Sequence, residues 1–191
     1  MPLSPRKKPP APAIGLTKMG RIPHPVLRMI AANIQAILEA PVEMLPALEI
    51  PETAYQTQRC QYDAGLVLKY LAHFSFPHHS RILAVTDVDL CTPIHTFVYG
   101  PAELGRTLAI ISDFRLKYME DGTVAAEGLY YERLAKVALH ELAHTLSLYH
   151  CDTPKCLMQI SRGLSHLDGL DIYFCERCTF VLNEGLRNLH I

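Results

Sequence analysis

The stretch from His140 to Met158, HELAHTLSLYHCDTPKCLM, carries side chains that can bind a metal ion and activate water. His140 and His144 are four positions apart, so on an α-helix both imidazoles project from one face and can bind a single ion. Glu141 would then lie beside that ion, within reach of a water molecule, where it can act as general base. His150 follows six positions after His144, a gap that lets the helix end and the chain return a third nitrogen to the ion.

Three histidine ligands would leave the fourth position of a tetrahedral zinc ion open. Zinc bound in this way lowers the pKa of water from about 15.7 toward 7 and polarises a carbonyl group. The residues therefore predict a zinc hydrolase in which Glu141 is the catalytic residue and His140, His144 and His150 bind the catalytic zinc. Two alternatives remain open at this point: histidines that are merely buried and hydrogen-bonded, and Cys151 as third ligand in place of His150.

Four cysteines make a separate prediction. Cys151 and Cys156 bracket a loop that contains proline, and Cys175 and Cys178 form a C-x-x-C pair. Four thiolates give a closed tetrahedral zinc site, whose expected role is structural. The alternatives are two disulfides or a redox-active C-x-x-C pair.

The N-terminal sequence MPLSPRKKPPAPA has basic residues but no apolar segment of the kind that a secretory signal contains. A cytoplasmic location is therefore expected, and a reducing compartment favours zinc thiolates over disulfides. The remaining two cysteines, Cys60 and Cys91, have no partner at a characteristic spacing and are predicted to be buried free thiols.

The pattern resembles HExxHxxGxxH followed by a methionine turn, the signature of the metzincin metallopeptidases. Cys151 directly after the third histidine, then Cys156, Met158 and the C-E-R-C pair, narrow the resemblance to the archaemetzincin family. Weaker similarity extends upstream through RCQYDAGLVLKYL and ILAVTDVDL. The resemblance implies a zinc peptidase with one catalytic and one structural zinc, the same ligand sets and base as above, and Met158 in a turn beneath the catalytic ion.

The chain departs from the family pattern at Ser147, where the pattern has glycine. That glycine usually takes a positive φ as the helix ends and the chain turns toward the third histidine. A serine must either enter the left-handed region, at a cost of roughly 1 kcal/mol or more, or send the turn along another path.

The histidines need a helix to position them, and the flanking sequence favours one between Gly128 and Ser147. Ala135, Leu139, Leu142 and Leu146 form an apolar stripe at helical spacing. Elsewhere the patterns predict helices over 26–40 and 61–74, strands over 14–18, 81–86, 97–99 and 107–112, an extended segment over 42–49, a loop over 51–59, and a short helix from Phe180 onward that covers the cysteine region.

This order predicts an α+β fold, in which a mixed sheet packs with helices in an α/β/α-like arrangement, as the metzincin resemblance also implies. An edge strand from about residues 97 to 112 would lie over the cleft and pair with an extended peptide. Residues 14–191 are expected to form one catalytic domain that includes the four-cysteine zinc subsite. Residues 1–13, which are rich in proline, are expected to form a flexible tail.

Composition restricts the function further. A chain of 191 residues, 49% apolar with a net charge of −1, can bury a substantial core, and it lacks the positive charge expected of a protein that binds nucleic acid. Its apolar runs are shorter than the roughly 18 residues of a membrane span. We therefore expect a monomer that acts on a peptide or protein substrate, with no nucleic acid and no membrane involved.

Two other functions fit the same motifs. HExxH fixes the water chemistry but not the specificity, so the substrate of the hydrolase need not be a peptide. A zinc-binding interaction module without activity is the second alternative, although a purely structural site gains nothing from Glu141. Tyr149 and Tyr173 are candidates for stabilising the oxyanion by their proximity in sequence alone, and a packing role is expected for both.

Overall fold

The computed structural model describes residues 13–190. The predicted tail of residues 1–13 falls outside this range except for Ala13, which opens the first strand. The described strands are β1 (Ala13–Met19), β2 (Val42–Met44), β3 (Tyr55–Gln56), β4 (Gln61–Asp63), β5 (His79–Thr86), β6 (Leu90–Cys91) and β7 (Leu108–Ser112). The helices are α1 (His24–Leu38), α2 (Ala64–Leu71), α3 (Glu127–Thr145), α4 (Leu164–Gly169) and α5 (Glu176–Arg187), with 3-10 turns at Glu52–Ala54 and Asn188–His190.

The main sheet has the strand order β2-β1-β5-β7, and all three pairings are parallel. An antiparallel stretch extends it beyond β7. Within this stretch, residues 99–103, the Tyr99 and Pro101 carbonyls accept from the Ser112 and Ile110 amides at 2.7 and 3.0 Å, and the Glu103 amide donates to Leu108. We call residues 99–103 the edge segment. With it, the sheet is mixed, as the sequence predicted.

Alternation along the central strand divides the core into two layers. Leu83 and Val85 of β5 pack on the face covered by α1 and α3, whereas Ile82 and Ala84 pack on the face covered by α2. Successive side chains of a strand point to opposite faces, so a strand buried on both sides is apolar throughout. The result is the predicted layered arrangement of helices on both faces of a sheet.

Most of the predicted elements are confirmed, with shifts at their ends. The predicted helix over 61–74 begins later, at Ala64, because Gln61–Asp63 form β4 and the Asp63 carboxylate caps the helix by accepting from the Leu66 amide at 3.0 Å. Residues 51–59 contain β3 rather than loop alone.

The predicted strand at 97–99 is wrong. Val98 makes only a single antiparallel bridge to Leu90, and of these two residues only Leu90 belongs to a strand, β6. Three residues of aromatic and β-branched type were too short a signal to separate a strand from an extended loop. None of the helices in the described residues has the length and apolarity that crossing a bilayer requires.

Candidate zinc centres and active-site cleft

α3 carries His140 and His144 one turn apart, at its C-terminal end. The helix packs its apolar stripe into the core, where Leu139, Leu142 and Leu146 are at most 3% exposed. The two histidines lie at the margin of this buried face and are partly exposed. The helix therefore supplies both imidazoles from a rigid element, as their spacing predicts.

The end of α3 forms a Schellman motif with Ser147 in the position that usually holds glycine. Ser147 has φ 69°, its amide donates to the His144 carbonyl at 3.0 Å, and the Leu148 amide donates to Ala143 at 3.1 Å. Of the two outcomes that the sequence allowed, the serine takes the left-handed conformation. The chain consequently turns back and brings His150 to the other two histidines.

The three imidazoles converge on one point. The Nε2 atom of His144 lies 3.0 Å from Nε2 of His140 and 3.3 Å from Nε2 of His150. A tetrahedral ion with Zn–N bonds of 2.0–2.1 Å places its ligand nitrogens about 3.3 Å apart. The three-histidine cluster thus has the dimensions of one face of a zinc coordination tetrahedron.

The opposite ring nitrogens fix the tautomers of two of these histidines. Nδ1 of His140 lies 2.8 Å from the Leu157 carbonyl, and Nδ1 of His144 lies 2.7 Å from the Leu148 carbonyl. A carbonyl only accepts, so Nδ1 carries the hydrogen and Nε2 keeps its lone pair for a metal. Burial, together with the neighbouring His144 ring, lowers the pKa of His140 to about 3, and burial lowers the pKa of His144 and of His150. All three rings are therefore neutral near pH 7, which is the ligating form.

Glu141 lies on the wall of the cleft beside the cluster and is 8% exposed. Burial raises the pKa of its carboxyl group well above the usual range, the direction that suits a group which takes up and releases a proton near neutral pH. The edge segment passes close by: a Cβ atom added to Gly100 would lie 3.2 Å from Cγ of Glu141 and 2.3 Å from the Ile110 carbonyl oxygen. Only glycine allows this approach.

Met158 lies in a turn that follows the third histidine. The Gln159 amide donates to the Cys156 carbonyl at 3.0 Å, which closes a four-residue turn with Met158 as its third residue. Its side chain is fully buried in the main core. The turn is tied to the cluster on both sides, because the Met158 carbonyl accepts from the Cys151 amide and Leu157 holds the His140 ring.

The second cluster comprises Cys151, Cys156, Cys175 and Cys178, whose Sγ atoms all lie within 4.8 Å of one another. Sγ of Cys151 lies 3.7 Å from Sγ of Cys175. Zn–S bonds of about 2.3 Å place sulfur ligands about 3.8 Å apart in a tetrahedron. All four thiols are free, so the geometry fits a zinc ion and neither of the two disulfides that the sequence left open.

Cys175 also stands at the N-terminus of α5. Burial acts to raise its pKa, but hydrogen bonds from the Cys178 backbone and from the Thr153, Cys178 and Cys156 side chains lower that pKa to about 6. A thiol with a low pKa at a helix N-terminus forms thiolate readily, which is the state that binds metal. Cys151 belongs to this cluster, and the geometry therefore gives no support to Cys151 as a ligand in the histidine site.

A cleft of about 510 Å³ opens beside the three-histidine cluster. His140, Glu141 and His150 form part of its wall, the edge segment contributes Tyr99 and Gly100, and the stretch after Met158 contributes the opposite wall. The apolar part of the lining consists of Ile94, Phe97, Val98, Val137, Leu157, Ile160, Leu167 and Leu170. We call this cavity the active-site cleft.

Several contacts around the cleft were not predicted from the sequence. Arg133 and Lys136 of α3 are 1% exposed: Arg133 pairs with Asp168 at 2.6 Å, and the Lys136 ammonium binds Glu132 and the Leu167 and Asp168 carbonyls. These bonds attach α4 to α3. Charged residues are rarely buried, and their sequence positions gave no signal of the partners, of which Asp168 lies 35 residues after Arg133.

Other sequence expectations have mixed outcomes. Cys91 is buried as predicted, whereas Cys60 is exposed, because it occupies a surface turn with φ 53°. Tyr149 and Tyr173 are 72% and 64% exposed and do not line the cleft. His95, which the sequence analysis did not single out, does line it.

Comparison with known proteins identifies a family to which most of the chain matches. Residues 24–184 match the model of peptidase family M54. The chain is 34% identical over 152 residues to the archaemetzincin of Archaeoglobus fulgidus, a match that covers 80% of this chain and 88% of that protein. It is 35% identical over 142 residues to the archaemetzincin of Methanocaldococcus jannaschii, covering 74% and 77% of the two chains.

Solved structures give the same result. The crystal structure of archaemetzincin from Methanopyrus kandleri superposes with a TM-score of 0.83 at 32% identity, covering 97% of this chain and 99% of that one. A zinc-dependent peptidase from Methanocorpusculum labreanum superposes with a TM-score of 0.81 at 32% identity, covering 89% and 100% of the two chains.

Proposed function

Since this chain belongs to peptidase family M54, the archaemetzincins, and is therefore a zinc metallopeptidase, we propose that His140, His144 and His150 hold its catalytic zinc and that Glu141 is its general base. The observation that carries this assignment is the convergence of three Nε2 atoms, 3.0 and 3.3 Å apart, beside a buried carboxylate on the wall of the cleft. Four thiols at tetrahedral spacing support a second, structural zinc held by Cys151, Cys156, Cys175 and Cys178.

Zinc bound to three imidazoles supplies a Lewis acid that polarises the scissile carbonyl and makes water nucleophilic near neutral pH. Glu141 accepts a proton from the water that attacks the carbonyl carbon, and it delivers that proton to the amine nitrogen as the C–N bond breaks. The carbonyls of Leu157 and Leu148 hold the His140 and His144 rings in the ligating tautomer throughout.

The edge segment provides a way to bind the peptide main chain. Tyr99, Pro101 and Glu103 use their inward-facing groups to pair with β7, so the groups of Gly100 face the other way. Among the described residues the Gly100 amide and carbonyl have no hydrogen-bond partner, and they border the cleft next to Glu141. A peptide that adds to this edge as an extended strand would have its carbonyl beside the base.

The cleft favours an apolar side chain next to the scissile bond. Val137, Leu157 and Leu170 line it, and the Lys136 ammonium that also borders it is already bound by Glu132 at 2.6 Å and by two carbonyls. A charged substrate side chain placed against this apolar part of the lining would lose its water without finding a partner, whereas the exposed Arg162 borders another part of the cleft.

We further propose that one chain is sufficient for activity and that the protein acts in a reducing cytoplasm, as a single domain over residues 14–191. Every residue assigned above comes from one chain. The four-cysteine site needs reduced thiols, and the three-histidine site needs neutral imidazoles. Sedimentation of the zinc-loaded protein at catalytic concentration tests the oligomeric state: a dimer would contradict the proposal.

The substitution Glu141→Gln tests the assigned mechanism. Because the amide cannot take a proton from water, the rate of cleavage of a peptide library, measured by mass spectrometry, should fall by about 10²–10⁴-fold. The zinc content, measured by elemental analysis, should stay at that of the unaltered protein. Glu127→Gln, in the first turn of the same helix, is the matched control and should retain activity. Full cleavage by the Glu141→Gln variant would show that another group is the base.

A further inference from the structure

A second pocket of about 440 Å³ adjoins the active-site cleft. Phe97, Tyr99 and Gly163 line both cavities, so the two are separated by a wall only one layer of side chains thick. The far side of the second pocket is formed mainly by the stretch after β7, including Phe114 and Tyr118.

The lining of the second pocket is aromatic. The Phe97 and Tyr99 rings pack edge to face with centroids 5.5 Å apart, and Phe114 and Tyr118 remain 43% and 42% exposed at the mouth. Each aromatic side chain can bury about 150–250 Å² of surface when another molecule or segment packs on it. Aromatic rings clustered and exposed on a concave surface therefore indicate a binding site.

The charged side chains that line the second pocket are already engaged. The Arg115 guanidinium donates twice to the Asp89 carboxylate, at 2.7 Å each, and its flat face lies 4.3 Å from the centre of the Phe97 ring. The Glu120 carboxylate accepts from the Ser165 hydroxyl at 2.8 Å and from its amide at 3.2 Å. The pocket therefore offers an occupant apolar and aromatic surface rather than a free charge.

The dividing wall is held in place by a chain of hydrogen bonds. Gln61 donates to Asp89 at 2.8 Å and accepts from Nε of Arg59 at 3.1 Å. Arg59 in turn donates to the carbonyls of Thr92, His95 and Thr96, at 2.8, 2.7 and 2.9 Å. The loop that carries Phe97 is thus fixed before any ligand binds, and preorganisation of this kind reduces the entropy lost on binding.

We propose that the second pocket is a specificity subsite of the peptidase, which binds an aromatic side chain of the same peptide two to four residues away from the scissile bond. The inference rests on the proposed function, since the peptide is the ligand that the adjoining cleft would hold. An extended chain advances about 3.3 Å per residue, so residues at this separation reach past the wall at Phe97. The protein would then favour substrates with two bulky apolar positions, the first in the cleft and the second here.

Binding to the zinc-loaded Glu141→Gln variant tests the subsite without requiring turnover. The probes are fluorescein-labelled peptides of alanine and glycine, each with one leucine for the cleft and one phenylalanine placed two, three or four residues to either side. We expect one placement to bind about tenfold more tightly than the peptide in which glycine replaces that phenylalanine. When Phe114→Ala and Tyr118→Ala are added to the Glu141→Gln variant, the two peptides should bind with equal affinity. Phe74→Ala, which removes a partly exposed aromatic ring outside both cavities, should leave the tenfold difference unchanged.

Two results would overturn the subsite. In the first, no placement of phenylalanine improves binding although the unaltered protein cleaves peptides, so that the proposed function stands and the inference fails. In the second, the double variant keeps the preference but loses self-association in sedimentation, which would mean that a second copy of the chain covers the pocket. If no peptide binds and the unaltered protein cleaves none, both the subsite and the proposed function are wrong.

Discussion

Ser147 holds a backbone conformation that glycine adopts without strain. It lies at φ 69° in the turn that delivers His150, and its Oγ atom is 2.8 Å from the position that a Cβ atom of Gly105 would take. A non-glycine residue in the left-handed region costs roughly 1–2 kcal/mol. This residue therefore stores strain beside a proposed zinc ligand.

Replacing Ser147 by glycine should stabilise the protein. The relief of strain exceeds the extra entropy that glycine gives the unfolded chain, so we expect a gain of about 1 kcal/mol and a rise in Tm of about 2–4 °C. Differential scanning calorimetry of the zinc-loaded protein measures it. Ser75→Gly, at an exposed position outside the turn, is the control and should not raise Tm; a lower Tm for Ser147→Gly than for the unaltered protein would mean that the serine side chain contributes a stabilising contact.

The candidate histidine ligands could be predicted from the sequence because they lie close together along the chain. Four residues separate His140 from His144, and helical geometry alone brings them together. The approach of Gly100 to Glu141 had no such signal: it depends on how the edge segment lies on β7 and on α3, elements far apart along the chain. Contacts of this kind require the tertiary structure.

At the scale of elements, the loop of residues 92–98 forms the upper rim of the cleft and has little regular structure of its own. Its carbonyls are held by Arg59, which lies 33 to 37 residues earlier in the chain. The planar guanidinium reaches three carbonyls at once, which an ammonium group does not reproduce. This explains why a loop without regular hydrogen bonding can form a wall of defined shape.

Arg59→Lys should loosen this rim. We expect amide hydrogen exchange over residues 92–98 to accelerate by at least about tenfold, since a bond from a charged donor contributes about 1.5–3 kcal/mol and the loss of one such bond already corresponds to a factor of about ten. KM for extended peptides should rise more than kcat falls, because the rim contacts substrate rather than the reacting atoms. Arg28→Lys, exposed on α1, serves as control. Unchanged exchange in the rim would show that the loop is held by other contacts.

Element type was predictable where the apolar pattern was long, as for α1, α3 and β5. It failed for short pieces such as β3 and β6, of two residues each, and for the strand expected at Phe97–Tyr99. In these segments the pairing partner, not the local sequence, decides the conformation. The edge segment itself was located correctly within residues 97–112, although its antiparallel pairing to β7 is visible only in the structure.

At the scale of the whole molecule, the four-cysteine cluster joins the stretch after the third histidine to α5. Cys151 follows His150 directly, and α5 packs on the end of α3, where a Cβ atom added to Gly185 would lie 2.8 Å from the Leu146 carbonyl oxygen. A structural zinc at this point would support the catalytic geometry from behind. Of the twelve residues of α5, only Cys178 and Leu182 are buried, so the helix has few apolar contacts of its own to hold it in place.

Removing this centre should cost one zinc and local stability. In a Cys175→Ser, Cys178→Ser double variant, the zinc content measured by elemental analysis should fall from two equivalents per chain to one. Cys60→Ser, an exposed cysteine outside the cluster, should keep both. If the double variant does not accumulate, titration of the unaltered protein with a mercurial reagent should release one equivalent as four clustered thiols react. Retention of two equivalents in the double variant, or release of none, would contradict a four-cysteine zinc.

The proposed mechanism requires that three imidazoles bind a zinc ion whose remaining position is open to water and substrate. Anomalous diffraction at the zinc edge, from crystals of the metal-replete protein, tests it most directly. We expect two peaks per chain, one about 2.0–2.1 Å from Nε2 of His140, His144 and His150 and the other about 2.3 Å from the four Sγ atoms. A histidine site without a peak, or one whose fourth position is filled by a protein side chain, would contradict it.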